Sequence, residues 1–279
     1  MPQHPVPPSD LPALVAAFGQ TVQAVLDLGR ACSTEDFARH TECPGWTVQD
    51  QVSHVASVES LLAGEPPLPV EVPQLAHVRS EFGRFMEAGV HARRSRSGAA
   101  VIDELQRILP RRLAALSDPS LTADSVIDSP LGRRTAGAFV ALRVSDVWCH
   151  EQDIRAALGM PLALDTPAAA VFTRRVLDAL PGLVARESGV PVGESVIVEV
   201  TGPITGVAAV RVEAGEDASP QGVVVDPAAV TSPHTTITLS AEAFTRRGAG
   251  RRDLLNTPYA VSGNPAIARA VLEHLAITP

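Results

Sequence analysis

The hydrophobic period of this chain changes along its length, and that change decides what it can fold into. Up to about residue 165 apolar side chains recur at spacings of three and four, as on one face of an α-helix. From about residue 195 they alternate one by one, as along a half-buried strand. Helices first and strands later describe an α part followed by an α+β part. The length of 279 residues allows two cores at roughly 150 residues per domain. The expected organisation is a helical domain over 1–165 and a smaller α+β domain over 166–279.

Local signals give the elements. Ser9 is placed to cap a helix carrying Leu11, Leu14, Val15, Phe18, Val22, Val25 and Leu26, which runs to about Gly29. Thr47 opens a second helix, with Asp50 three residues on as a variant capping box and Val48, Val52, Val55 and Leu62 along one stripe. A proline-rich break at Glu65-Pro66-Pro67-Leu68-Pro69 follows, then helical stretches at about 74–93, 99–116 and 136–158, the last stopped by Gly159 and Pro161. Long helices of this kind with connecting loops predict a four-helix bundle. Beyond residue 166 one more amphipathic helix precedes a hairpin of Ser195–Thr201 and Val207–Glu213. Gly222–Asp226 and Thr235–Leu239 read as two further strands, with Ser240 and Asn264 as helix caps. A small antiparallel sheet with helices is expected.

Composition removes several functions. Acidic residues outnumber basic ones 31 to 23, a formal charge of −8, which disfavours a nucleic-acid or anionic-membrane surface. All 23 basic residues are arginine. Without lysine there is no P-loop lysine, no Schiff base and no Ser-x-x-Lys nucleophile. Cys32, Cys43 and Cys149 are far apart and include no C-x-x-C, so neither a disulfide framework nor a four-cysteine zinc site is suggested. The N-terminus MPQHPVPPSD lacks a basic and apolar leader, and no apolar run of the roughly 18 residues of a membrane span stands out. A soluble protein of the reducing cytoplasm is expected.

One constellation can carry chemistry. Asp146 and His150, four residues apart on the 136–158 helix, lie about 40° apart around its axis and one turn apart along it. With Arg143 and Asp153 they form a polar row beside the apolar stripe of Val140, Val144, Val147, Ile154 and Leu158. His54 projects inward from the helix opened by Thr47. A histidine from one helix with an Asp and a His in i, i+4 register from another suits Zn²⁺ or another divalent metal with a coordination position left open. Asp153 would orient an imidazole or substitute as ligand. The plainer alternative is a core histidine and a helix-surface pair. The run His150-Glu151-Gln152-Asp153-Ile154 is not a zincin motif, because its fifth position is isoleucine.

The segment Thr41-Glu42-Cys43-Pro44-Gly45-Trp46-Thr47-Val48-Gln49-Asp50-Gln51-Val52-Ser53-His54 resembles the signature opening the mycothiol-dependent maleylpyruvate isomerase family. The run from Arg143 through Asp146, Trp148, His150 and Asp153 to Gly159 is similar to the family's second signature, and Gly263-Asn264-Pro265 through Pro279 to its C-terminal end. The resemblance implies a DinB-like metal-binding bundle followed by a domain like the sterol-carrier proteins. It places the family's metal ligands on His54, Asp146 and His150, with zinc as the expected metal and mycothiol as thiol cofactor. The isomerase itself has glutamate where this chain has Asp146.

The implied chemistry is an isomerase or thiol transferase acting on a small electrophilic, anionic substrate, with the mycothiol sulfur activated as a metal-bound thiolate. Zinc coordination deprotonates a thiol whose free pKa is near 8.5. An anionic substrate needs a cation, and Arg251, in a Gly-Arg segment resembling the family's C-terminal domain, is the candidate. A solvated arginine is the equal alternative. The pairs Arg93-Arg94, Arg133-Arg134, Arg174-Arg175 and Arg246-Arg247 read as exposed charge. Trp46 and Trp148 read as packing, and Cys43 and Cys149 as small buried hydrophobes. Two rivals stand beside this: a hydrolase using metal-bound hydroxide, and a module holding a lipid or apolar ligand. The sequence does not specify the oligomeric state.

Overall fold

The computed structural model describes residues 2–216, 218–231 and 234–278. The chain divides into two compact units, one of Pro8–Leu162 and one combining Met1–Pro7 with Ala163–Pro279. The second therefore takes in both ends of the chain, because the short strand β1 (Gln3–His4) pairs antiparallel with a strand near residue 205.

The Pro8–Leu162 unit is built on α1 (Leu11–Ala31), α2 (Thr34–Phe37), α3 (Val48–Leu62), α4 (Glu81–His91), α5 (Gly98–Leu116) and α6 (Ala136–Ala157). α1 packs on α5 and α6, and α3 packs on α4, α5 and α6. Its core is aliphatic and aromatic, with Phe18, Val22, Val52, Val55, Leu105, Ile108, Val140 and Val144 all buried. α1 is long and apolar enough to span a membrane by length and composition, which the sequence reading did not single out. More than half of that stretch, 56%, is buried inside the protein, as expected of a core helix.

Caps fix the helix starts. The side chain of Asp10, not Ser9, accepts from the Ala13 N–H to begin α1. Thr47 and Asp50 form the capping box of α3 as expected. The 74–93 stretch becomes helical only at Glu81, where Ser80 supplies the cap. A hairpin of β2 (Val126–Ser129) and β3 (Gly132–Thr135) leads into α6.

The other unit carries α7 (Pro167–Gly182), β4 (Ser195–Thr201), β5 (Thr205–Ala214), β6 (Pro220–Val225), β7 (His234–Ser240), α8 (Ala241–Gly248), β8 (Ala260–Ser262) and α9 (Pro265–Glu273). The sheet runs β5-β4-β7-β8, with β1 and β6 both pairing along the free edge of β5. It is antiparallel except for β4 and β7, which run parallel and correct the wholly antiparallel expectation. α7, α8 and α9 pack on the sheet. Ser240 and Asn264 cap α8 and α9 as expected.

Candidate metal centre

α3 and α6 bring His54, Asp146 and His150 together. One ligand atom from each of the three lies within 4.8 Å of the others. Nε2 of His54 is 3.4 Å from Oδ2 of Asp146, and Nε2 of His150 is 3.7 Å from Oδ1. Zinc ligand distances of about 2.0–2.2 Å separate two ligands of a tetrahedral ion by roughly 3.4 Å, so the spacing fits one divalent ion. The donor set of two imidazoles and a carboxylate suits it equally. His54 adds a further sign: its buried Nδ1 has no hydrogen-bond partner and its Nε2 meets only the Asp146 carboxylate, at 3.4 Å, a polar group short of partners unless something binds there. The three residues could therefore hold a metal ion.

In the polar row of α6, Arg143, His150 and Asp153 are buried and Asp146 is partly exposed. Both histidine side chains are 7% exposed and that of Asp146 28%, so solvent meets the site on the carboxylate side. Burial, then the neighbouring His150, pushes the His54 pKa below its usual value, which keeps the ring neutral and its nitrogens available. Burial alone would raise the Asp146 carboxyl. Arg143 beside it more than reverses that and holds it well below the usual carboxylate range.

Glu59 and Arg112, which residue type and spacing do not single out, join Arg143 beside this centre. Arg143 donates from Nη1 to Oδ2 of Asp146 at 2.9 Å and from Nε to Oε1 of Glu59 at 2.9 Å. Glu59 is fully buried and also accepts from Nε of Arg112 at 2.8 Å. The carboxylate of the centre is thus anchored through three helices. Glu59 sits five residues after His54, where it reads as an ordinary helix former; the unusual feature is its burial, which sequence does not display.

Trp46 lies against both imidazoles, with ring centroids 5.1 Å from His54 and 5.8 Å from His150, while the two imidazoles are 4.5 Å apart. Its indole N–H donates to Glu87 at 2.8 Å. Glu87 also meets Nε2 of His77 at 3.1 Å and Nη1 of Arg94 at 2.6 Å. The packing role expected of Trp46 becomes a specific one, a wall beside the two imidazoles hung from a buried carboxylate. Nδ1 of His150 faces Oε1 of Gln51 at 2.6 Å, and Oδ2 of Asp153 is farther from it at 3.7 Å. Gln51 is thus nearer to this nitrogen than Asp153, which the sequence offered as an orienting partner.

Arg251 belongs to the other unit, just past α8, where its Nη1 donates to the carbonyl oxygen of Ala249 at 2.9 Å. Cys149 is buried, and Cys32 and Cys43 are partly exposed; none is in a disulfide. Of the arginine pairs read as exposed charge, Arg93 and Arg246 are instead buried. Arg93 meets Glu104 as an ion pair, since a buried guanidinium needs a partner.

Fold and site together define a two-unit protein with a histidine–carboxylate centre suited to a divalent metal in its helical unit. The mycothiol maleylpyruvate isomerase N-terminal domain matches residues 18–155, and the chain belongs to that family. Its fold is similar to crystal structures of the mycothiol-dependent maleylpyruvate isomerase and of a histidine-to-alanine mutant of it. Each is 16% identical, with a TM-score of 0.54 over 90% of this chain and 92% of the other. No curated protein matches the chain in sequence.

Proposed function

We propose that this chain is a metal-dependent enzyme that uses mycothiol to isomerise, or transfer the thiol to, a small electrophilic anion. The single observation that carries the reading is the convergence of ligand atoms from His54, Asp146 and His150 within 4.8 Å of one another. Family membership supports the thiol. We read the Pro8–Leu162 unit as a DinB-like four-helix bundle of α1, α3, α5 and α6, and the other as sterol-carrier-like. The domain boundary near residue 165 belongs to the same reading.

His54, Asp146 and His150 would hold the ion, zinc by preference. When bound, the ion supplies the Lewis acidity that lowers the pKa of a thiol at an open position. The residues supply the rest. Arg143 holds Asp146 ionised and fixed, burial keeps His54 neutral, and Trp46 covers one side of the two rings so that approach is limited to the Asp146 side. Arg251 is proposed to pair with the substrate's carboxylate. The three free cysteines agree with a cytoplasmic location.

Cobalt substitution tests the reading. Adding mycothiol to the cobalt-loaded protein should produce a thiolate-to-cobalt absorption band, and thiol-dependent turnover should be found across a panel of unsaturated acids. No band and no thiol-dependent turnover would leave the hydrolase as the better account.

A further inference from the structure

Gln51 is fully buried on α3, three residues before His54. Its Nε2 donates to the hydroxyl oxygen of Thr41 at 2.7 Å, and its Oε1 faces Nδ1 of His150 at 2.6 Å. The Thr41 oxygen also accepts from the backbone N–H of Cys43 at 3.2 Å. Besides Gln51, the acceptors this hydroxyl meets are the carbonyl oxygens of Trp46 at 3.0 Å and Cys43 at 3.5 Å. A carbonyl oxygen can only accept, so the Thr41 hydrogen goes there. With that hydrogen committed, Thr41 can only accept from Gln51, which turns the amide nitrogen to Thr41 and the amide oxygen to His150. An oxygen against Nδ1 requires the proton on Nδ1. A neutral imidazole has one N–H, so Nε2 keeps its lone pair, and Nε2 is the nitrogen facing Oδ1 of Asp146 at 3.7 Å.

We propose that Thr41 and Gln51 are a positioning pair that fixes the tautomer and ring orientation of His150 and so presents Nε2 as its metal-ligating nitrogen. The inference rests on the reading of His54, Asp146 and His150 as ligands. It makes the two histidines unequal. His150 is held through Nδ1 by a directed chain of hydrogen bonds starting at the Trp46 carbonyl, whereas Nδ1 of His54 has no such partner and the ring is held by its contact with Trp46 and by Asp146. The same short segment, Thr41 to Gln51, thus supplies the cap of α3, the aromatic wall and the orienting amide.

The test uses full-length wild type, Gln51→Leu, Gln51→Glu and Thr41→Val. Zinc affinity is measured by competition with a chromophoric chelator, and the His150 tautomer by long-range proton–nitrogen NMR correlations on the metal-free proteins. Wild type should show the Nδ1–H form. Gln51→Leu should lose the preference and bind zinc about 10- to 100-fold more weakly, the range for an outer partner of a ligating histidine. Gln51→Glu keeps an acceptor opposite Nδ1 and should restore most of the affinity. Thr41→Val frees the amide to turn and should weaken binding by less than Gln51→Leu; it carries the test if the leucine variant does not fold. An Nε2–H tautomer in wild type, or unchanged zinc affinity in Gln51→Leu, would overturn the proposal. If wild type binds no zinc, the ligand reading fails, and the tautomer still decides this proposal separately.

Discussion

Replacing Glu59 with glutamine removes one charge from the interior of the helical unit while keeping the size of the side chain. Glu59 accepts from Arg112 at 2.8 Å and from Arg143 at 2.9 Å. The two arginine side chains are only 6% and 3% exposed, so neither guanidinium can turn to water when the carboxylate is gone. Removing one partner of a buried pair costs about 3–5 kcal/mol. Glutamine keeps one acceptor oxygen, and Arg143 keeps Asp146 at 2.9 Å, so the lower end, about 3 kcal/mol, applies. At about 2–4 °C per kcal/mol for a domain of this size, Tm should fall by about 6–12 °C. Thermal unfolding of metal-free protein followed by far-ultraviolet circular dichroism measures it. The double replacement Glu59→Leu, Arg112→Met removes a matched pair of charges while Arg143 keeps Asp146, and should recover much of the loss, since apolar substitutes for buried ion groups are often neutral or stabilising. A Glu59→Gln protein melting within about 2 °C of wild type would refute the account of this cluster.

Gly45 has φ +78°, and a Cβ there would sit 2.2 Å from Nδ1 of His77; Gly64 has φ +82° with nothing within 4 Å. Gly64→Ala should cost only backbone strain, about 1–2 kcal/mol. Gly45→Ala should cost more in chemical denaturation, because His77 must leave Glu87; equal losses would contradict this. Glu104 is held below the usual carboxylate range: burial opposes ionisation, but Arg93 and Arg96 outweigh it. A depressed folded pKa gives stability that is complete above the unfolded value of about 4.3 and is lost as pH falls through the folded value. Denaturation at a series of pH values should show stability falling below about pH 4.3, and Glu104→Gln should flatten that slope; an unchanged slope would remove Glu104 from the explanation.

Much of this was legible in the sequence where one residue determines its neighbourhood. Thr47 and Asp50 announce the start of α3 by spacing alone, and Asp146 and His150 share a face because four residues make about one turn. Legibility fails where the partner is distant or the signal is shared. Ser9 and Asp10 are both good caps, and only the hydrogen bond to Ala13 chooses between them. The β2–β3 hairpin is four residues per strand and largely exposed, so it carries no alternating apolar pattern. The pattern of β7 announces a strand but not its parallel neighbour β4. At the site, the ligand candidates came from residue type and spacing. Gln51, Glu59 and Glu87 did not, since a glutamine or glutamate in a helix is unremarkable until its burial shows that it needs a partner.

The metal content of the protein bears most directly on the central claim. Metal-free wild type, His54→Ala and His150→Ala are titrated with zinc against a competing chelator, with circular dichroism confirming that each is folded. Wild type should bind about one ion per chain, and each variant should lose that binding, since two remaining ligands do not hold a site of this kind. A folded wild type that takes up no zinc, or a variant that keeps full binding, would contradict a single centre built by His54, Asp146 and His150.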